Sequence, residues 1–94
     1  MSLLEFYGET CPHCILMKPL VEKLENEEGI EVEQFEVWKD EKNAEKLKEY
    51  DKGYCGGVPF FINTESEEMI CGSVEYDALV KWAKGTKADK KKDD

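Results

Sequence analysis

The spacing of apolar and polar residues changes several times along the chain, and each change predicts a new element of secondary structure. Residues 3–7 form a short, mostly apolar run, which is typical of a strand buried on both faces. From Pro12 the apolar residues recur every three or four positions, so we predict a helix that ends near Gly29. Its core-facing side would carry Leu16, Met17, Leu20, Val21 and Leu24.

The middle of the chain predicts a second strand and a second helix. Residues 30–38 alternate between apolar and polar positions, as in a strand. The phase of the alternation slips near Gln34, where we expect a bulge or a change of surroundings. A lysine-rich helix is predicted over residues 41–51, with one apolar side formed by Ala44, Leu47 and Tyr50.

The last part of the chain predicts a hairpin and a helix. Residues 58–62 and 68–71 are short apolar runs, and the brief turn between them implies antiparallel pairing. Ser73 is the predicted N-cap of a helix that ends near Lys84. Its inward residues would be Val74, Ala78 and Trp82.

The resulting order, β-α-β-α-β-β-α, predicts an α/β fold. The first two strands would pair in parallel and the last two antiparallel, giving a central mixed four-stranded sheet flanked by helices. We assign residues 1–84 to this single domain and residues 85–94 to a charged, disordered tail.

Charge narrows the range of partners. The chain carries 22 acidic and 13 basic residues, a formal charge of −9, and every basic residue is a lysine. This composition speaks against nucleic acid, whose phosphates select basic surfaces and especially arginine. The opening residues show neither a leader nor an apolar span, so we expect a cytoplasmic monomer with no membrane contact.

Cys11-Pro-His-Cys14 is the candidate reactive motif. Cys11 lies at the start of the first predicted helix, where unpaired N–H groups and the helix dipole stabilise a thiolate. A thiolate attacks disulfides, and Cys14, one turn further, is placed to resolve the mixed disulfide. His13 can add positive charge near the thiolate, unless it is simply an exposed loop residue.

Two other interpretations of the motif remain open. Cys11 and Cys14 could be inert, packed thiols. They could instead form part of a metal or iron–sulfur site, which needs four thiolate or imidazole ligands. The chain has no second motif of this spacing, although Cys55, Cys71 and His13 could contribute.

Glu5 lies inside the apolar first strand, where a carboxylate is costly unless it is protonated or partnered. Burial would raise the pKa of Glu5 toward neutrality. In the other interpretation Glu5 faces solvent from an edge strand.

The segment 3–14 resembles the active-site strand and loop of the thioredoxin superfamily, and its Pro-His dipeptide resembles the DsbA-like oxidant branch more than thioredoxin itself. The segment 56–61 resembles the loop around the cis-proline of that family, and Gly72 and the interior helix residue Pro19 also match. The resemblance covers about residues 2–84. The chain lacks the N-terminal strand and helix of thioredoxin, as glutaredoxins do, and Thr10 replaces an aromatic residue at the rim of the site.

The resemblance implies a role for each matching residue. Glu5 corresponds to a buried acid that shuttles a proton to and from Cys14. Pro59 would be cis, and the backbone of Val58 would pair with an extended substrate segment. Thr10 and Gly72 would line the substrate groove. Cys55 and Cys71 lie beside that groove, and we interpret them as packed core thiols, with a secondary redox or glutathionylation role as the alternative.

The expected function is therefore a thioredoxin-like thiol–disulfide oxidoreductase that acts on disulfide-containing proteins and is served by a reductase of the thioredoxin-reductase type. It would need no metal and no cofactor beyond the Cys11–Cys14 disulfide. A glutathione-dependent glutaredoxin is the nearest alternative, although Lys18 is the one basic residue predicted near the cysteines. A redox-inactive adaptor is a further alternative.

Overall fold

The structure is a computed structural model that describes residues 3–85. Residues 1–2 of the predicted domain and all of the predicted tail beyond Gly85 lie outside the described residues. The elements are β1 (Leu3–Tyr7), α1 (Pro12–Glu28), β2 (Glu33–Glu36), α2 (Glu41–Asp51), β3 (Phe60–Asn63), β4 (Met69–Cys71) and α3 (Tyr76–Lys84). None of the helices in this range is long and apolar enough to cross a membrane.

The four strands of residues 3–85 form one mixed sheet in the order β2-β1-β3-β4. β1 pairs in parallel with β2 and antiparallel with β3, and β3 pairs antiparallel with β4. The predicted α/β fold with a mixed four-stranded sheet flanked by helices is confirmed at this level.

Both faces of the sheet are covered. Leu3 points to the side on which α1 and α3 pack, together with Phe61 and Trp82. Leu4 and Phe6 point to the other side, where Ala44, Leu47 and Tyr50 of α2 pack against them as predicted. Because successive side chains of a strand point to opposite faces, β1 is apolar at nearly every position.

α1 begins and ends where the sequence predicts. Pro12 occupies the first turn, and Gly29 ends the helix with φ +66°, donating its N–H to the Glu25 carbonyl. Its buried residues are Cys14, Met17, Val21 and Leu24. The prediction that Leu16 faces the core is wrong. These buried residues define the core-facing side of α1, and Leu16 lies outside it, with 62% of its surface exposed.

Of the two alternatives expected near Gln34, the bulge is wrong and the change of surroundings is confirmed. The register runs without interruption from Leu4 opposite Glu33 to Tyr7 opposite Glu36. Val32 packs on the α1 side of the sheet, whereas Phe35 packs on the α2 side. The apparent slip therefore arises because the segment buries apolar residues first on one face and then on the other.

The third helix begins later than predicted. Its N-cap is Glu75, so the assignment of the cap to Ser73 is wrong. Consequently the core-facing stripe contains Leu79 and Trp82, while Ala78 is exposed. β3 likewise begins at Phe60, directly after a cis peptide bond between Val58 and Pro59.

Candidate functional site

Cys11 is the N-cap residue of α1. Its backbone is extended, with φ −72° and ψ 118°, and its Sγ accepts a hydrogen bond from the Cys14 N–H at 3.1 Å. The Cys11 N–H donates to the Gly8 carbonyl at 3.1 Å, which holds the loop between β1 and α1 in a tight turn. The Cys11 sulfur thus occupies the position where a helix terminus stabilises negative charge.

Cys14 lies on the buried side of α1, one turn further on. Cys11 and Cys14 are free thiols and are 4% and 5% exposed, respectively. Burial raises the pKa of Cys14 to about 12, with further contributions from its hydrogen bond to Cys11 and from the nearby charges of Cys11 and Glu5. The Gly8 N–H, 3.5 Å from the Cys14 Sγ, acts in the opposite direction. Cys14 is therefore held as a neutral thiol that needs a base before it can attack.

Glu5 is buried beneath the site, with 2% of its surface exposed, so the predicted burial is confirmed. Its Oε1 accepts a hydrogen bond from the Gln34 Nε2 at 2.8 Å. Burial raises the pKa of the Glu5 carboxyl, and the Gln34 hydrogen bond partly offsets this increase. Among nearby charges, Glu25 raises this pKa and Lys18 lowers it.

A cavity of about 100 Å³ lies beside Cys14. It is large enough for a few water molecules, each of which takes about 30 Å³ in the liquid. The cavity is lined by Tyr7, Gly8, Glu9, Cys14, Ile15, Lys18 and Gln34. Gln34 therefore lines the cavity beside Cys14 and also donates a hydrogen bond to the buried carboxyl of Glu5.

The loop before β3 approaches Cys11 from the other side. The Cys11 Sγ lies 3.9 Å from the Val58 carbonyl oxygen. Pro59 is buried, and its carbonyl accepts a hydrogen bond from the Gly72 N–H at 2.8 Å. The structure thus places Val58 next to Cys11 and joins Gly72 to Pro59, and the predicted cis bond at Pro59 is confirmed.

Thr10 and His13 lie on the solvent side of the motif. Thr10 directly precedes Cys11, His13 lies in the first turn of α1, and both are exposed. His13 is therefore a helix residue, not a loop residue. Their predicted roles at the rim and near the thiolate stay predictions.

Cys55 and Cys71 are joined by a disulfide. The interpretation of these residues as packed core thiols is wrong: Cys55 is half-buried and Cys71 is exposed. The bond forms because the loop after α2 returns to the end of β4, where Cys71 pairs with Phe60. Because they are joined in a disulfide, Cys55 and Cys71 have no thiolate to bind a metal ion. Among residues 3–85, no group of three or more His, Cys, Asp or Glu side chains is arranged to bind a metal ion.

Sequence reasoning missed Glu36, which organises the edge of the site. Its carboxylate accepts hydrogen bonds from the backbone N–H groups of Glu9 at 2.9 Å and Lys39 at 2.8 Å, and these bonds lower its pKa. The loops after β1 and β2 are thereby tied together. The indole of Trp38 packs on Gly8, where a Cβ atom would lie 2.3 Å from the ring. A glycine at the end of the first strand was the available signal for this close approach.

Asp51 was also missed. It is buried, and its carboxylate accepts hydrogen bonds from the N–H groups of Cys55 at 2.6 Å and Gly56 at 2.8 Å. An aspartate followed by a glycine-rich segment is a sequence signal for such a turn.

Comparison of the chain with protein-family models finds no match, and comparison with curated proteins finds none either.

Proposed function

We propose that this chain is a thiol–disulfide oxidoreductase with a thioredoxin-like fold, exchanging electrons with disulfide-containing proteins through Cys11 and Cys14. The observation that carries the proposal is the position of the Cys11 sulfur. It caps α1 against the Cys14 N–H at 3.1 Å and faces the Val58 carbonyl at 3.9 Å. A helix N-terminus favours the thiolate form, which is the nucleophile in disulfide exchange.

In the reducing direction, the Cys11 thiolate attacks one sulfur of a substrate disulfide. A mixed disulfide forms and the other substrate sulfur leaves as a thiolate, which takes a proton from water. Cys14 then loses its proton and attacks the Cys11 sulfur, releasing the second substrate thiolate. Two electrons have passed to the substrate, and Cys11 and Cys14 are joined as a disulfide. The opposite direction reverses each step.

Glu5 is the proposed proton acceptor for Cys14. Because burial raises the pKa of Cys14 to about 12, its deprotonation is the difficult step near neutral pH. The pKa of Glu5 is itself raised by burial, which makes its carboxylate a stronger base than an exposed one. Water in the cavity next to Lys18 and Gln34 would carry the proton to solvent.

The residues around Cys11 form the proposed substrate groove. An extended substrate segment would pair with the Val58 backbone, while Pro59 and Gly72 hold that backbone in place through their 2.8 Å hydrogen bond. Thr10 and His13 would line the exposed rim, with His13 adding positive charge near the thiolate. The expected partners remain protein disulfides and a reductase.

A glutathione-dependent reaction is the second candidate, because Lys18 lines the cavity beside Cys14 and could bind a glutathione carboxylate. Turnover supported by glutathione alone, and lost in Lys18→Ala, would favour this candidate over a protein reductase.

Reduction of insulin disulfides by the variants tests the proposal. Cys11→Ser should abolish the reaction, whereas Cys14→Ser should accumulate a mixed disulfide with insulin, detected by non-reducing electrophoresis and mass spectrometry. The matched control, Cys11→Ser/Cys14→Ser, should trap nothing. Equal trapping by the two single variants would overturn the assignment of roles, and full activity of Cys11→Ser would overturn the function.

A further inference from the structure

The loop over residues 52–59 carries the Val58 carbonyl to Cys11, yet its own backbone is weakly constrained. It lies between α2 and β3, and it contains three glycines: Gly53, Gly56 and Gly57. Gly53 and Gly56 have φ values of +84° and +74°, a region that glycine adopts readily. Such a segment depends on its few anchors to keep Val58 in position.

Two anchors act at Cys55. The Asp51 carboxylate binds the N–H groups of Cys55 and Gly56, and the Cys55 sulfur is covalently joined to Cys71. Cys71 ends β4, and the next residue, Gly72, donates its N–H to the Pro59 carbonyl. The disulfide and this hydrogen bond therefore hold the loop on both sides of Val58.

The two cysteine residues differ in their exposure. Cys71 is exposed, whereas Cys55 is half-buried and packs against the apolar cluster that also contacts Val58. The greater exposure of the Cys71 residue makes Cys71 the expected point of attack. The Cys55 sulfur lies 3.5 Å from the Gly57 carbonyl oxygen, an acceptor for the thiol that forms when Cys55 leaves.

We propose that the Cys55–Cys71 disulfide is a second thiol–disulfide exchange site, opened by attack of a low-molecular-weight thiolate on Cys71, and that opening it frees the loop that holds Val58 against Cys11. The site is separate from Cys11 and Cys14, and it exchanges whether or not those cysteines act on protein substrates.

The exchange proceeds in two steps. A thiolate attacks the Cys71 sulfur, the Cys55–Cys71 bond breaks, and Cys55 leaves as a thiolate that takes a proton from water. A second thiolate attacks the sulfur of the first reagent molecule and releases Cys71, which is protonated in turn. Two thiols are thereby oxidised to one small disulfide, and one protein disulfide is reduced to two thiols.

In a reducing environment, disulfides are rare, and those that occur are usually transient and redox-sensing. An exposed disulfide that anchors the loop next to Cys11 would make the accessibility of Cys11 depend on the local ratio of thiols to disulfides.

The first test uses Cys11→Ser/Cys14→Ser, which leaves Cys55 and Cys71 as the remaining cysteines. The folded variant is incubated with reduced glutathione, quenched with acid, alkylated and mapped by mass spectrometry. We expect a glutathione adduct on Cys71 in severalfold excess over Cys55, and an opening rate that is unchanged in sub-denaturing urea. An adduct mainly on Cys55, no opening of the folded protein, or a rate that follows the unfolded fraction would overturn the proposal.

The second test measures the coupling to Cys11. In Cys14→Ser the free thiol is Cys11, and its alkylation by iodoacetamide is timed with the second disulfide closed. Adding Cys55→Ser and Cys71→Ser should accelerate the reaction severalfold, because Cys11 is 4% exposed in the closed structure. The matched control is Cys14→Ser/Leu79→Ala, which weakens the core on the α3 side of the sheet. Equal rates with and without the disulfide, or an equal acceleration in the control, would refute the coupling.

Discussion

Glu5 and Gln34 face each other across β1 and β2, and the amide of Gln34 donates a hydrogen bond of 2.8 Å to the carboxyl of Glu5. Glu5 is buried, whereas Gln34 is exposed. The Gln34 amide therefore lies between the Glu5 carboxyl and solvent. It is a polar partner of that carboxyl in largely apolar surroundings. This pair sets how strongly burial raises the pKa of Glu5.

Replacement of Glu5 by Gln should change stability in a pH-dependent way. A raised pKa in the folded state means that the ionised carboxyl destabilises the fold. This destabilisation is absent below the pKa of Glu5 in the unfolded chain, about 4.3, and reaches its full size above the pKa of Glu5 in the folded protein. The full size is about 1.4 kcal/mol for each pH unit between the two pKa values. The free energy of unfolding, measured with urea from pH 4 to pH 8, should therefore show a gain for Glu5→Gln that grows with pH.

The same variant should lose turnover, because an amide in place of the carboxylate accepts no proton from Cys14. Stability gained together with activity lost is typical of a residue kept for function. A stability difference that does not vary with pH would contradict the raised pKa, and unchanged turnover would contradict the proton-relay role.

Gln34→Leu should act on Glu5 without removing it. Loss of the hydrogen bond raises the pKa of Glu5 further, because this bond favours the ionised form. The variant should lose more stability at pH 7 than at pH 4, and the Glu5 carboxyl resonance should titrate at higher pH in NMR spectra. Glu33→Gln, on the same strand and also exposed, is the matched control and should leave the Glu5 titration in place. If both variants shift Glu5 equally, the hydrogen bond is not the cause.

His13→Ala should make the Cys11–Cys14 couple less oxidising. Positive charge near the Cys11 thiolate stabilises the reduced state, so its removal lowers the reduction potential. A tenfold change in the equilibrium with glutathione corresponds to about 30 mV, which equilibration in glutathione buffers resolves easily. His13→Lys places a permanent positive charge at this position and should not lower the potential. Identical potentials in all three proteins would make His13 an ordinary surface residue of α1.

Gly8→Ala should displace Trp38. The new Cβ would lie 2.3 Å from the indole, so the ring must move away from the loop that precedes Cys11. Overpacking of this kind costs about 1–3 kcal/mol. Gly57→Ala is the matched control, since no atom lies within 4 Å of its Cβ position. Urea unfolding should separate the two variants, and equal stabilities would argue against close packing of Trp38 on Gly8.

Features set by neighbouring residues were predictable from the sequence. α1 begins at Pro12 and has its C-cap at Gly29, and α2 occupies the predicted residues 41–51. The residues at and next to a helix end determine these limits, and they can be identified in the sequence. The burial of Glu5 was predictable for a similar reason, since the residues around it form an apolar strand.

Features that depend on strand register were not predictable. The hydrogen bond between Glu5 and Gln34 exists because β1 and β2 pair in one particular alignment. The Cys55–Cys71 bond likewise needs the path of a loop and the end of β4, and a separation of 16 residues indicates neither. The prediction of Ser73 as the N-cap was wrong because periodicity alone does not determine where the first turn of a short helix begins.

β1 is first in the chain but stands inside the sheet, between β2 and β3. Its parallel neighbour follows α1 directly, whereas its antiparallel neighbour is separated from it by two helices, β2 and the glycine-rich loop. Until β3 docks, β1 presents an open edge of unpaired backbone groups, and docking must first overcome the entropy of closing that long loop. A cut between α2 and β3 would therefore yield two pieces that complete the sheet only by reassociating.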